Sequence, residues 1–191
     1  MIGQGRIRLD RSQPPPLPFA AVNRAGGAGY VAGLQRHHLL PRGLVGQRCF
    51  GRLIEVLNIR VGFDDFRRNG MLLPATEDDA VRMGLPLHRG PHHAYSEMVG
   101  DRLGAIEAGW ATAVSSDRDA AGIAALNALT QLQADLRRSL LDPHRTVRLN
   151  RYDPLGRGTD FTRIDAMAET LWGKTQPANG AVLAVSDAIA A

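Results

Sequence analysis

Cysteine and lysine are almost missing from this sequence: Cys49 and Lys174 each stand alone among 191 residues. A single cysteine can form neither an internal disulfide nor a cysteine-based zinc site, so any bound metal must be held by His, Asp or Glu. Aromatic residues make up only 5% against 44% hydrophobic residues overall. A core of ordinary size is therefore affordable, but it must be built from Leu, Val, Ala and Ile. No apolar run approaches the roughly 18 residues that a membrane-spanning helix requires. The N-terminal stretch has no continuous apolar segment between its arginines and Pro14, Pro15 and Pro16, which excludes an ordinary secretory signal. These absences predict a protein with no membrane partner, cytoplasmic or exported by a route without an ordinary signal peptide.

The net charge of +4 conceals an asymmetry. Residues 1–70 carry eleven Arg against four acids (Asp10, Glu55, Asp64, Asp65), and the remainder is net acidic. Arginine clamps phosphate oxygens through paired hydrogen bonds, so an arginine-rich half suits a polyanionic partner. A GC-rich genome produces the same preference for arginine over lysine, and charge alone does not decide between them.

Along the chain, residues 1–28 read as a flexible arm, with a proline triplet and then Gly26, Gly27 and Gly29. The run LQRHHLL reads as a strand. Over 47–58, Phe50, Leu53, Ile54 and Leu57 share one helical face. Asn69 and Gly70 form a tight turn into a short strand, Met71 to Pro74. Thr76 caps a brief helix over Glu77–Met83 that ends at Gly84. Pro91 opens a longer helix at its first position, with Tyr95, Met98, Val99, Leu103 and Ile106 as its apolar stripe. Ser116 caps a helix over 117–141, which Asp142 and Pro143 stop. Its apolar positions are Ile123, Leu126, Leu129, Leu132, Leu136 and Leu140, a face too long to leave in water. This helix is expected to pack within the chain and support the fold without taking part in chemistry. A last amphipathic segment is expected over 162–172, followed by a loosely ordered tail at 174–191.

The histidines carry the functional argument. Stepping by three and four from His92 leads to Tyr95, Ser96, Val99 and Leu103, whereas stepping from His93 leads to polar positions. His92 should therefore point inward and His93 outward. His88 lies four residues earlier, and Gly90 and Pro91 place it just before the helix, near the same side. Two inward imidazoles and the His37–His38 pair on a separate strand make a candidate metal site, since neutral imidazole suits zinc and similar divalent ions. Any one histidine alone is more often merely structural.

The strings LQRHHLLP, RRNGMLLP and LPLHRGPHHAYSEMV, in that order over residues 34–103, resemble the AHH branch of the HNH/endonuclease VII nuclease superfamily. Arg36 stands where that family's name-giving alanine would be. The resemblance implies a ββα-metal fold, two short strands and a helix around one divalent ion. It implies His37, His88 and His92 as metal ligands, His38 as general base, and Asn69 as the residue that orients the base through its side-chain amide. Neighbouring strand residues face opposite ways, which agrees with one histidine of the pair facing the ion and the other the incoming water. Arg36, Arg42 and Arg89 flank the histidines as candidate phosphate contacts, or as solvated surface residues.

The expected architecture is thus α+β and mostly helical: the arm at 1–28, a ββα-metal nuclease core at 29–109, a helical extension at 110–173 and the tail. The expected function is metal-dependent endonuclease action on phosphodiester bonds, with DNA as the favoured nucleic acid and Mg, Zn, Mn or Ni as the single ion. The alternatives are a ribonuclease on the same scaffold and a non-catalytic nucleic-acid-binding or structural metal module. A purely structural site would need neither His38 nor Asn69. The cellular role stays open between a bacterial toxin or effector, a phage-related nuclease and a housekeeping enzyme. An immunity or assembly protein is a candidate partner.

Overall fold

A computed structural model of the chain describes residues 14–45, 50–144, 147–149 and 152–155. The segment at 162–172 and the tail at 174–191 lie outside the described residues. The fold is α+β and mostly helical. Its elements are strand β1 (Leu34–His38), helices α1 (Arg42–Val45), α2 (Gly51–Val61) and α3 (Phe66–Asn69), strand β2 (Gly70–Pro74), and helices α4 (Glu77–Met83), α5 (His93–Ala113) and α6 (Arg118–Leu141). Among the described residues no helix is long and apolar enough to cross a membrane.

The two strands pair antiparallel, with His37 opposite Met71 and His38 opposite Gly70. Helix α3 delivers the chain into β2: Asp65 caps it by accepting from the Arg67 N–H. What reads in the sequence as a tight turn at Asn69 and Gly70 is thus the end of a short helix. Helix α4 forms as its signals predict, with Thr76 accepting from the Asp79 N–H and Gly84 closing it at φ +63°.

Three boundaries differ from the sequence reading. Helix α5 begins at His93, because His92 has non-helical dihedrals (φ −111°, ψ 58°), so Pro91 lies outside the helix instead of at its first position. Helix α6 is capped by Asp117, whose carboxylate accepts from the Ala120 N–H, and not by Ser116. Helix α2 runs later than 47–58.

Helix α6 packs against α5, α2 and α3. Its buried stripe is Leu129, Leu132, Leu136 and Leu140, and stepping back from Leu129 reaches Ala125 and then Ala121 and Gly122. Ile123 is out of phase with that stripe and stays exposed. At this end of α6 the buried face runs through Ala121, Gly122 and Ala125, and position 123 turns away from it. The resulting core is continuous, joining Leu39, Leu40, Leu53, Leu57 and Leu73 to the inward faces of α5 and α6. The division expected at 109/110 therefore falls inside α5 and inside one core.

Two polar side chains of α6 hold the β2 entrance. Arg137 donates to the carbonyls of Arg67, Arg68 and Gly70. Gln133, buried, donates to the Val61 carbonyl and to Asn69 Oδ1. Its start, the position opposite His38, is thereby fixed by the last helix as well as by its own strand partner.

Nor do residues 14–21 behave as a free arm. The Leu17 N–H donates to Asp65 Oδ1, its carbonyl accepts from the Phe66 N–H, and Arg67 donates to the Pro15 carbonyl. Extended proline-rich backbone cannot satisfy itself internally, so it docks on α3.

Candidate metal centre

Strand geometry separates the histidine pair. His37 is buried and faces α5, with Gln35 on the same strand face two residues earlier. His38 faces the other way, as does Arg36, whose guanidinium donates to the Phe19 carbonyl.

On the inner face three imidazoles converge. The His37 ring lies 5.0 Å from that of His88 and 5.7 Å from that of His92, and the latter two are 4.6 Å apart. One nitrogen from each falls within 4.8 Å of the others. His88 is brought here by the loop after α4, where its N–H donates to the Pro74 carbonyl at the end of β2. Gly90, at φ +75°, then turns the chain toward His92, a backbone state that costs glycine little. His92 occupies the N-cap position of α5. His93, the first helical residue, is exposed.

The chemistry of this donor set fits a divalent ion. His37 Nε2 is buried and has no hydrogen-bond partner, which is costly unless something fills that lone pair. His88 Nδ1 bonds Gln35 Oε1 at 3.1 Å, and His92 Nδ1 bonds the Leu149 carbonyl at 3.0 Å. Each oxygen accepts from Nδ1–H, which leaves Nε2 unprotonated, as a metal-ligating imidazole requires. Tyr95, fully buried, packs edge-on to His37 and donates to the Leu39 carbonyl at 2.7 Å, holding the end of β1.

Electrostatics keep these rings neutral. Burial pushes His37 well below the ordinary imidazole value, with its histidine neighbours adding to the effect. Burial lowers His88 to about 4, and it lowers His92 despite the opposing bond to Leu149. The unfolded chain takes up these protons near 6.5 and the folded chain only at lower pH, so acid favours unfolding. The metal-free protein is therefore expected to keep its melting temperature above pH 7 and lose it progressively between about 6.5 and 4. The decline should be shallower for His88→Gln. A melting temperature flat from pH 7 to 4.5 would contradict this account.

On the outer face His38 stacks on Phe19, with centroids 3.7 Å apart and planes 2° from parallel, and Phe19 meets Phe66 edge-on at 5.1 Å. A Cβ at Gly70, opposite His38, would run into the Phe66 ring, so glycine is needed for this aromatic layer. Burial, then Arg42, lowers the His38 pKa, while Asp64 opposes and Arg36 adds a smaller push. Its Nε2 has no protein partner. Arg42 lies 4.0 Å from Asp64, both exposed, and Arg89 is exposed beside His88.

Asn69 sits elsewhere than on the His38 ring. It is fully buried, accepts from the Leu40 N–H at 2.7 Å, and donates to the carbonyls of Leu40 and Phe63. Its side-chain amide grips the backbone two residues past His38, not the imidazole itself, and its main-chain carbonyl accepts from the Leu39 N–H. Sequence reasoning missed four contributors: Gln35, Phe19, Gln133 and the Leu149 carbonyl. Only Gln35 left a signal, the two-residue spacing from His37.

The family model described as a nuclease family of the HNH/ENDO VII superfamily with conserved AHH matches residues 19–133. Neither the curated proteins nor the solved structures gave a match. The matched stretch contains the three converging imidazoles, His38 and Asn69 and covers more than half of the sequence; the chain belongs to the AHH nuclease family of the HNH/ENDO VII superfamily.

Proposed function

We propose that this protein is a metal-dependent endonuclease that hydrolyses phosphodiester bonds in DNA, with His37, His88 and His92 holding one divalent ion and His38 acting as general base. The observation that carries the reading is the division of labour across β1. Three imidazoles with one nitrogen each within 4.8 Å of the others lie on one face, the buried His37 Nε2 without a partner among them, and a fourth histidine with an unpartnered nitrogen lies on the other. When bound, the ion supplies Lewis-acid polarisation of the scissile phosphate and stabilises charge on the leaving oxygen.

The protein's own part is to take a proton from water at His38. A lowered pKa keeps that ring neutral at pH 7, so it is ready to accept. Phe19 fixes the ring plane by stacking, and Asn69 fixes the backbone that follows it. Arg42 and Arg89, both exposed, flank the histidines as phosphate contacts, and Arg36 donates to the Phe19 carbonyl and steadies the stack.

Incubation of the purified protein with plasmid DNA and with RNA, across Mg, Mn, Ni and Zn with EDTA as control, tests the proposal. DNA cleavage abolished by EDTA is the expected result. Cleavage of RNA alone would make the protein a ribonuclease, and ion binding without cleavage of either would make it a non-catalytic module. At the ligand level, His92→Ala is expected to weaken ion binding by at least about 10–100-fold, and His93→Ala to leave it unchanged. Calorimetric titration with Zn²⁺ checks both, and equal losses in the two variants would reject the ligand assignment.

A further inference from the structure

The chain beyond the family match comes back to the metal centre. Helix α6 ends at Leu141, and Val147 and Leu149 bury their side chains in the main core. Between α6 and this return stands Pro143, which no helix interior accommodates. The segment 147–149 thereby lays the Leu149 carbonyl 3.0 Å from His92 Nδ1, a contact between residues 57 positions apart.

Among the described residues, that carbonyl is the hydrogen-bond partner of the His92 ring, which otherwise meets the rings of His37 and His88. His92 is the N-cap residue of α5, its dihedrals are non-helical, and its side chain makes no capping bond. Its ring is only half-buried. A backbone carbonyl can accept but not donate, so the bond selects the Nδ1–H tautomer and leaves Nε2 as the nitrogen with a lone pair to offer, on a ring that has one nitrogen within 4.8 Å of a nitrogen of His37 and of His88. His88 obtains the same service from Gln35, a side chain of β1.

We propose that the returning segment 147–149 is a working part of the metal centre, in which the Leu149 carbonyl is a positioning group that sets the tautomer and orientation of His92 and so the affinity for the ion. The proposal rests on the reading of His37, His88 and His92 as ligands. It assigns the C-terminal part of the chain a role at the site in addition to closing the core. Because the group is main-chain, no side-chain replacement at position 149 removes it.

Two measurements on the full chain test the proposal. The imidazole nitrogen shifts of His92 in the metal-free protein at pH 7.5 should show a protonated Nδ1 and an unprotonated Nε2. The opposite tautomer would overturn the proposal without any variant. In the second measurement, an ester replaces the peptide bond between residues 149 and 150, weakening the carbonyl as an acceptor. Zn²⁺ affinity should fall about tenfold, and the His92 shifts should move toward a mixture of tautomers, whereas an ester between residues 147 and 148 should change affinity by less than about twofold. No change with the first ester, or equal losses with both, would overturn the proposal. Should the ester chain fail to fold, the tautomer of the unmodified protein decides alone. Failure of the unmodified protein to bind Zn²⁺ would instead refute the ligand set, since the tautomer measurement does not depend on the ion.

Discussion

Replacement of His38 by alanine is expected to lower DNA cleavage by a factor on the order of 10²–10⁴ while the ion stays bound with near-normal affinity. The expectation follows from strand geometry: His38 faces away from the three converging imidazoles, against Phe19, so its loss removes a proton acceptor and no ligand. The reciprocal variant, His37→Ala, removes the buried nitrogen around which the other two rings gather and should abolish ion binding and cleavage together. Single-turnover cleavage and Zn²⁺ titration on both variants separate the roles. If His38→Ala releases the ion and His37→Ala does not, the two assignments must be exchanged.

The pH dependence of cleavage adds a second readout on the same residue. A general base acts in its neutral form, and burial together with the neighbouring arginines lowers the His38 pKa. Cleavage limited by this proton transfer should therefore hold its rate to a pH somewhat below 6.5, the value for an unperturbed imidazole. Phe19→Ala would expose the ring to water and lift part of the burial effect.

Much of this site was legible because its signals are local. Strand alternation separates His37 from His38, and helical stepping distinguishes His92 from His93, which the structure places half-buried and exposed respectively. Capping chemistry located α4 to the residue, since Thr76, the acids of the first turn and Gly84 all act within that helix. What escaped the sequence reading depends on contacts between distant positions. Phe19 belongs to a stretch whose prolines and glycines suggest a free arm, yet hydrogen bonds to Asp65 and Phe66 dock it. Ile123 satisfies the helical spacing of α6, but the face that packs at this end runs through Ala121, Gly122 and Ala125, and which face packs is set by the neighbouring helices. The Leu149 carbonyl has no side-chain identity to read at all. The role of Asn69 came out differently for a related reason: a sequence motif identifies the residue type, but only the path of the chain shows that its amide meets Leu40 instead of His38.

That placement makes Asn69→Ala the variant with the largest expected effect on stability. The side chain is fully buried and answers the N–H and carbonyl of Leu40, the carbonyl of Phe63 and the amide of Gln133. Alanine removes this partner from the Leu40 N–H and from the carbonyls of Leu40 and Phe63, while Gln133 keeps its bond to the Val61 carbonyl, and each buried group left unsatisfied costs about 1–3 kcal/mol. Even with partial relaxation the sum is on the order of 3 kcal/mol or more. For a chain of this size that corresponds to a melting temperature lower by roughly 6–12 °C. Gln133→Ala breaks only the longest of those bonds to Asn69, at 3.4 Å, together with one to the Val61 carbonyl, so its effect should be smaller. At temperatures where Asn69→Ala remains folded, turnover should also fall, because the 39–40 turn that holds the end of β1 loses its tether while Tyr95 still secures the Leu39 carbonyl. Ion affinity should change less than turnover, since the proposed ligands His88 and His92 are hydrogen-bonded to Pro74, Gln35 and Leu149 and not to Asn69. Thermal denaturation of the metal-free variants, paired with cleavage and titration at 20 °C below their midpoints, provides the check. An Asn69→Ala protein as stable as the parent would show that the amide does not bear on the turn, and the account of how β1 is held in place would have to be rebuilt.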